Sequence, residues 1–207
     1  MKDKFFDLKR EKQDRMINGA LKIFALNGYK KASTDEIVKE AGISKGLLFH
    51  YFESKIGVYS FVCQYSAKYI AMELFRSVGM KETDFFELQK QMELAKMRVM
   101  KQYPYMQYFL NQAFLERDEE AVEATKEEMD YASDALKQVY EKADLTRFKE
   151  QVEPSVVLKM TLFSLNGLLS DYMRRETFIP EEYYREACEY LDMLRVHLEK
   201  DDKENYC

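Results

Sequence analysis

The chain has 207 residues and a net charge of −5, with 46% hydrophobic and 33% charged residues. This length buries a substantial core, and the presence of only 7 Gly and 3 Pro among many helix formers predicts an all-α fold. A run of about 18 apolar residues and an apolar N-terminal stretch are both missing, so neither a membrane-spanning helix nor a secretory signal is expected.

The charges are unevenly distributed along the chain. Residues 1–56 contain 12 Lys and Arg against 8 Asp and Glu, a balance of +4, whereas the remainder contains 20 against 29, a balance of −9. A basic N-terminal part on an acidic remainder is typical of a nucleic-acid-binding domain whose other half is repelled from phosphates.

The first predicted helix covers residues 10–27. Its apolar side chains, Ile17, Ala20, Leu21 and Phe24, recur at i, i+3, i+4 and i+7, and Gly28 is expected to end it. Lys31 lies in the loop that follows, where a basic side chain can bind a DNA phosphate without reading the base sequence.

Residues 33–55 show the pattern of two short helices joined by a tight turn. Ser33 and Glu36 form a capping box, Gly42 stops the first helix, and Ser44 can cap the second. This arrangement predicts a helix-turn-helix, whose second helix enters the major groove of DNA.

The stretch Ala41-Gly-Ile-Ser-Lys-Gly-Leu-Leu-Phe-His-Tyr-Phe52, followed by Ser54-Lys55, resembles the DNA-binding signature of the TetR family of one-component bacterial regulators. The resemblance covers roughly residues 12–60 and implies a DNA-binding head at residues 1–54 and a ligand-binding and dimerisation body at residues 55–207. It also implies that Tyr51 and Lys55 contact the DNA backbone, whereas Phe49 departs from the tyrosine frequent in the family.

The other DNA-binding candidates follow from their position on the motif. Thr34 starts the first helix of the motif, where its hydroxyl and nearby N–H groups can hold a phosphate. The first turn of the second helix offers Lys45 for a guanine edge or a phosphate and Leu47 for a thymine methyl. Three further candidates share this surface: Ser44, Gly46 and His50.

The predicted body consists of further helices, giving about nine in all. Their expected ranges are 55–77, 84–102, a helix with Pro104 in its first turn, 118–142, 154–175 with Pro154 at its start, and a last helix opened by Pro180 and reaching Leu198. Proline is favoured at the first position of a helix, and it stands at the expected start of both of the last two helices.

Aromatic and methionine side chains crowd the body and suit an adaptable apolar pocket between helices. The resemblance implies that a small, apolar effector binds there, although for any one of these residues plain core packing is the more frequent explanation. The candidate pocket residues are Met92, Met100, Tyr103, Tyr108, Phe109, Met129 and Met160.

The last two helices are the candidate dimer interface. The family resemblance implies a four-helix interface with the symmetry mate, whereas packing within one chain is the alternative. The candidate residues are Ser164, Gly167, Leu168, Ala187, Leu191 and Leu194.

Enzyme chemistry has little support in the sequence. The two histidines and the three cysteines, Cys63, Cys188 and Cys207, are scattered, which predicts neither a metal site nor a disulfide framework and favours a reduced, cytoplasmic protein. No phosphate-binding glycine loop or nucleophile elbow is present, so neither a catalytic residue nor a cofactor is expected. The sequence predicts a homodimeric, effector-responsive repressor of a palindromic double-stranded DNA operator. A helical ligand-binding or scaffold protein without sequence-specific DNA binding is the alternative, and a small all-α enzyme is a further rival.

Overall fold

The computed structural model describes residues 2–200, and the fold is all-α as predicted. Ten α-helices lie within this range, against about nine expected, together with a short 3₁₀ helix at Leu145–Arg147. The helices are α1 (Lys2–Phe6), α2 (Arg10–Lys31), α3 (Thr34–Ala41), α4 (Lys45–Phe52), α5 (Lys55–Ser77), α6 (Phe85–Gln102), α7 (Met106–Ala113), α8 (Glu119–Tyr140), α9 (Pro154–Tyr172) and α10 (Pro180–Leu198).

Several boundaries differ by one to four residues from the predicted ones, and two differences have a clear physical reason. Gly28 does break the first long helix, with φ 69° and ψ 174°, but one more turn follows it and extends α2 to Lys31. Pro104 precedes α7 instead of opening it, because the Tyr103 carbonyl accepts the Met106 N–H in a turn at 3.0 Å. Pro154 and Pro180 do stand at the starts of α9 and α10, as expected.

Helix α1 was not predicted. It is only five residues long, too short to show an apolar period in sequence. Gln13 of α2 holds the segment that follows α1, because the Gln13 amide donates to the carbonyls of Phe6 at 3.0 Å and Leu8 at 2.7 Å.

The chain forms two compact units. The first contains the chain up to Met72 together with Val99–Asp134, and the second contains Glu73–Arg98 together with the residues from Ala135 onward. The predicted division into residues 1–54 and 55–207 follows function instead of packing and stays a prediction.

The core of the first unit is aromatic. The ring of Phe24 packs edge-on against Tyr59, with centroids 4.9 Å apart, and Tyr59 packs against Phe109 at 5.6 Å. The second unit centres on Phe85, whose ring lies 5.1 Å from Phe86 and 5.4 Å from Phe148. Across residues 2–200, no helix combines the length and apolarity that crossing a bilayer would require.

Candidate nucleic-acid interface

The helix-turn-helix at α3 and α4 is built by three local devices that the sequence predicted. The Ser33 hydroxyl caps α3 by accepting the Asp35 N–H at 3.2 Å, one residue before the Glu36 N–H that the predicted capping box uses, and the Ser44 hydroxyl caps α4 by accepting the Leu47 N–H at 3.2 Å. Between the two helices, Gly42 adopts the left-handed conformation, with φ 61° and ψ 44°, which glycine reaches without a Cβ clash.

Helix α4 turns a polar surface outward. Leu48 and Phe52 are its buried residues, whereas Lys45, Gly46 and His50 are exposed. A Cβ added at Gly46 would meet no atom within 4 Å. The face that a groove-binding helix needs is therefore open to a close approach by DNA.

The remaining DNA-binding candidates of the motif lie around this surface. Ser44 is exposed at the cap of α4, and Leu47 and Tyr51 are partly buried along it. Lys31 is exposed at the end of α2, and Thr34 is the partly buried first residue of α3. The helix-turn-helix therefore carries Thr34, Ser44, Leu47 and Tyr51 on two short helices and their caps, whereas Lys31 lies on α2, before the motif.

Lys45 is engaged with a neighbour that the sequence reading did not assign. Its ammonium lies 2.8 Å from the Asp35 carboxylate, and the two side chains are 51% and 71% exposed. An ion pair this exposed contributes little to stability, so a phosphate can replace Asp35 as the partner of Lys45 at small cost.

Lys55 has a structural position that the family resemblance did not indicate. Its ammonium donates to the carbonyls of Tyr29 at 2.9 Å, Lys30 at 3.3 Å and Ala32 at 3.4 Å. It also lies 4.4 Å from the centroid of the Tyr29 ring. These bonds satisfy the otherwise unpaired carbonyls at the end of α2, so we assign Lys55 to stabilising this end of the helix.

The junction of α4 and α5 holds Lys55 in place. The Ser54 hydroxyl accepts the Gly57 N–H at 3.1 Å, and a Cβ at Gly57 would lie 1.9 Å from the Phe52 carbonyl oxygen. Only glycine permits this approach, so α5 begins immediately after α4 and carries Lys55 back beneath the end of α2.

A second support for the end of α2 comes from the segment between α7 and α8. The Glu116 carboxylate accepts the Tyr29 N–H at 2.9 Å, and the Tyr29 hydroxyl donates to Glu120 at 2.6 Å. Burial alone would raise the pKa of Glu116, but the N–H groups of Tyr29, Asp118 and Arg117 outweigh it and lower that pKa. No spacing in the sequence indicates this contact, because 87 residues separate its partners.

The predicted effector-pocket residues are divided between the two compact units. Met100, Tyr103 and Phe109 are fully buried in the first unit and Met92 in the second, whereas Tyr108 and Met129 are partly buried. Met160 is 49% exposed on α9, so it does not line an enclosed pocket in its own chain.

Tyr103 is the centre of a polar network in the first unit. Its hydroxyl donates to Asp14 at 2.6 Å, accepts from Arg10 at 3.0 Å and lies 2.8 Å from the Tyr65 hydroxyl. Burial, followed by the bonds to Asp14 and Tyr65, raises the pKa of Tyr103, which keeps its hydroxyl protonated as a donor. The ring joins α2, α5 and the end of α6 and leaves no free polar edge for an effector.

The predicted dimer residues need a correction. Leu168, Ala187 and Leu191 are 6%, 0% and 0% exposed, because they face the core of their own chain and are unavailable to a partner. Ser164 and Gly167 are exposed and Leu194 is partly buried. The uncovered apolar side chains of α9 and α10 are instead Val156, Met160, Phe163, Tyr190, Met193 and Val196.

Phe163 and Val196 are 75% and 71% exposed, which periodicity could not reveal. Both helices are apolar on more than one side, so the sequence pattern does not tell which stripe faces inward. A Cβ at Gly167 would meet nothing within 4 Å, which leaves this side of α9 open to another helix.

The second unit buries a polar cluster that the sequence reading missed. The Glu93 carboxylate is 0% exposed, accepts the Lys96 ammonium at 2.7 Å and accepts the Tyr183 hydroxyl at 2.6 Å. Burial and Glu93 raise the pKa of Tyr183 well above its ordinary value. Gln89, one turn before Glu93, donates to the Tyr140 hydroxyl at 2.7 Å.

Metal chemistry has no assembled donor set in the part of the chain that the structure describes. Within residues 2–200, no three His, Cys, Asp or Glu side chains come together as metal ligands. Cys63 is a buried free thiol and Cys188 a partly buried one, whereas Cys207 lies outside the described residues.

Comparison with known proteins points to one family. Residues 16–59, which contain the helix-turn-helix, match the family described as "Bacterial regulatory proteins, tetR family". The HTH-type transcriptional regulator YerO of Bacillus subtilis (strain 168) is 33% identical over 72 residues, which are 35% of this chain and 24% of YerO. The chain thus spans about a quarter of the length of this curated relative.

The solved structures extend the likeness to the whole fold. A TetR family transcriptional regulator from Chloroflexus aurantiacus J-10-FL superposes with a TM-score of 0.60 at 19% identity, covering 96% of this chain and 98% of that one. A second match is SmeT, the repressor of the Stenotrophomonas maltophilia multidrug efflux pump SmeDEF. The superposition on its triclosan complex covers 94% of this chain and 94% of that one, with a TM-score of 0.59 at 16% identity. The helix-turn-helix match and the shared all-α fold agree: residues 16–59 of the chain carry the DNA-binding domain of the tetR family of bacterial regulatory proteins.

Proposed function

We propose that this protein is a DNA-binding transcriptional regulator that binds a palindromic operator as a homodimer, represses transcription and is released by a small molecule. The observation that carries the proposal is α4 itself. It is capped at Ser44, anchored by Leu48 and Phe52, and exposes Lys45, Gly46 and His50. A positive balance of charge over residues 1–56 adds attraction to phosphates.

Two copies are needed for a palindrome. Two such helices would read half-sites about 34–36 Å apart, or a multiple of that spacing. Short side chains around Gly46 offer few base-specific donors, so phosphate contacts from Lys31 and Lys45 should supply much of the affinity.

The dimer surface that we propose is the uncovered side of α9 and α10. On α9, Val156, Met160 and Phe163 follow one another at i, i+4 and i+7, and Gly167 continues the same side. Met193 and Val196 extend it on α10, at 56% and 71% exposure. An apolar stripe of this length on a monomer marks an interaction site, and the gap at Gly167 permits close helix contact.

The effector site that we propose lies in the core of the second unit around Met92. Gln89 and Thr161, which belong to the same unit as Met92, are 1% and 0% exposed, and their side-chain oxygens Oε1 and Oγ1 have no hydrogen-bond partner among the described residues. A buried unpaired oxygen is costly, which favours a largely apolar ligand that also carries a hydrogen-bond donor. The SmeT–triclosan complex supports a small-molecule effector for a protein of this fold.

Release from DNA follows if the effector favours a conformation that fits the operator poorly. A ligand shifts such an equilibrium only by its differential affinity for the two states. The ligand-bound protein should therefore bind operator DNA more weakly, and operator DNA should weaken ligand binding by the same factor.

The test begins with selection from random double-stranded DNA, followed by gel-shift titration at several salt concentrations. The expected product is a palindrome, and Lys45→Ala should lower the slope of log affinity against log salt by about 1 for each subunit. Lys137→Ala is the matched control, because Lys137 is also an exposed, ion-paired lysine but lies on α8. Selection without any sequence preference would contradict the proposal and favour a ligand-binding or scaffold protein.

A further inference from the structure

We infer that Phe5 is a positioning residue for the recognition helix, so that operator affinity depends on an N-terminal helix outside the family-matched residues 16–59. The inference rests on the proposed DNA-binding function. It adds a residue and a segment that neither the sequence motif nor the family match includes.

Helix α4 depends on its neighbours for its orientation. It is eight residues long, and a helix this short has little stability of its own in water. Leu48 and Phe52 are its buried residues. Loss of support on either of these anchors would let the exposed face of α4 tilt.

Phe5 supplies the support on one anchor. Its side chain is 0% exposed, and its ring centroid lies 5.4 Å from that of Phe52 and 5.8 Å from that of Tyr51. The ring also lies 4.9 Å from Phe61 of α5. The contacts with Tyr51 and Phe61 are edge-to-face, an arrangement with a preferred geometry, whereas the Phe52 ring is tilted at 51°. Phe5 therefore fixes the direction of the Tyr51 ring and covers Phe52.

The contact with Tyr51 leads directly to the DNA-facing surface. The Tyr51 ring packs edge-on against His50 at 4.9 Å, and both residues are candidates for DNA contact. Phe5, Tyr51 and His50 therefore form one chain of rings from the buried side of α4 to its exposed side.

Helix α1 is held in place by hydrogen bonds from α2, so the position of Phe5 is fixed. The Gln13 side chain, 7% exposed, donates both of its described bonds to carbonyls at the end of α1 and just beyond it. These bonds connect α1 to α2, while Phe5 connects it to α4 and α5. Helix α1 therefore connects the long helix α2 to the recognition helix α4.

The experiment compares the full-length wild type, Phe5→Ala and Phe6→Ala on the DNA sequence that the wild type selects. Phe6 is the matched control, since it is the adjacent ring but 52% exposed. Folding of each variant is verified by circular dichroism, and binding is measured well below its melting temperature. Phe5→Ala should weaken operator binding by at least about fivefold, the loss typical of one mismatched base pair, with much less change on unrelated DNA. Phe6→Ala should bind as the wild type does.

A second measurement separates positioning from stability alone. Hydrogen exchange of the α4 amides should speed up in folded Phe5→Ala more than that of the α2 amides, and Phe5→Leu should recover part of the affinity. If Phe5→Ala does not fold, Phe5→Leu takes its place in the comparison and should still lose operator affinity.

Two results would overturn the inference. In the first, the folded Phe5 variant has a lower melting temperature but the same ratio of operator affinity to unrelated-DNA affinity as the wild type. Phe5 is then only a core residue, and the proposed function stands. If the wild type itself selects no sequence, the proposed function fails, and the positioning role fails with it.

Discussion

The two compact units treat charge in opposite ways. The buried polar side chains of the first unit, among the described residues, are all neutral: Gln13, Ser66, Gln107 and Thr125. The second unit buries the charged side chains of Asp84, Glu93, Lys96 and Glu199. The first unit therefore keeps its charges outside, where phosphates can reach them, whereas the second uses charge to specify its interior.

The difference has an energetic meaning. Exposed pairs such as Lys45–Asp35 and Lys22–Glu40 contribute little and exchange partners easily. A buried pair costs a large desolvation free energy and tolerates no loss of a partner. Substitutions in the two units should consequently differ in what they change: binding to DNA in the first, and stability in the second.

The largest expected effect is the loss of Glu93. Glu93→Ala leaves the Lys96 ammonium and the Tyr183 hydroxyl buried without their carboxylate, and should cost about 3–5 kcal/mol of unfolding free energy. Urea unfolding followed by circular dichroism measures it. Glu141→Ala, which removes an exposed carboxylate 3.9 Å from Lys137, is the control and should cost no more than about 1 kcal/mol. Both carboxylates belong to the second unit, so equal costs for the two variants would contradict the distinction between buried and exposed charges on which the comparison of the units depends.

Tyr103→Phe tests whether the first unit also contains a polar group that matters for stability. The substitution keeps the ring but removes the hydroxyl shared by Asp14, Arg10 and Tyr65, and should cost about 1–3 kcal/mol because those partners lose a partly buried bond. Thermal unfolding measures the change. Tyr131→Phe, at a ring 47% exposed, should leave the melting temperature unchanged. A neutral Tyr103→Phe would mean that water replaces the hydroxyl.

Local signals in the sequence predicted the fold class, most helix boundaries and the helix-turn-helix. The caps at Ser33 and Ser44 and the left-handed Gly42 act within four residues of where they stand, so their effect is legible without tertiary structure. The same holds for Pro154 and Pro180 at their helix starts.

Contacts between distant residues could not be predicted in this way. Lys55 reaches carbonyls 23 to 26 residues earlier in the chain, and Glu93 meets Tyr183 across 90 residues. The assignment of Leu168, Ala187 and Leu191 to a dimer surface was wrong for a related reason. Periodicity identifies an apolar stripe, but only packing shows whether the chain itself covers it.

Lys55→Met sharpens the comparison because the family resemblance and the structure assign Lys55 different roles. If Lys55 satisfies the end of α2, the variant should lose about 1–2 kcal/mol of stability and keep the slope of DNA affinity against salt. If Lys55 binds a phosphate, the slope should fall by about 1 for each subunit. Thermal unfolding and salt-dependent gel shifts together distinguish the two roles. Lys30→Met, at an exposed neighbouring lysine, is the control for loss of charge alone.

The smallest expected effect is a gain in DNA binding from Asp35→Asn. Asp35 pairs with Lys45 in the free protein, so the substitution frees the ammonium and removes a negative charge from the DNA-facing surface. The gain should be about 0.2–1 kcal/mol, the range of an exposed ion pair, and should shrink at high salt. Glu36→Gln is the matched control, since it removes an exposed carboxylate in the same turn of α3 that is not seen to pair with Lys45. In a double-mutant cycle with Lys45→Ala, the benefit of Asp35→Asn should largely disappear. An equal gain from Glu36→Gln would show that overall charge matters and that the Lys45–Asp35 pair does not regulate access to phosphate.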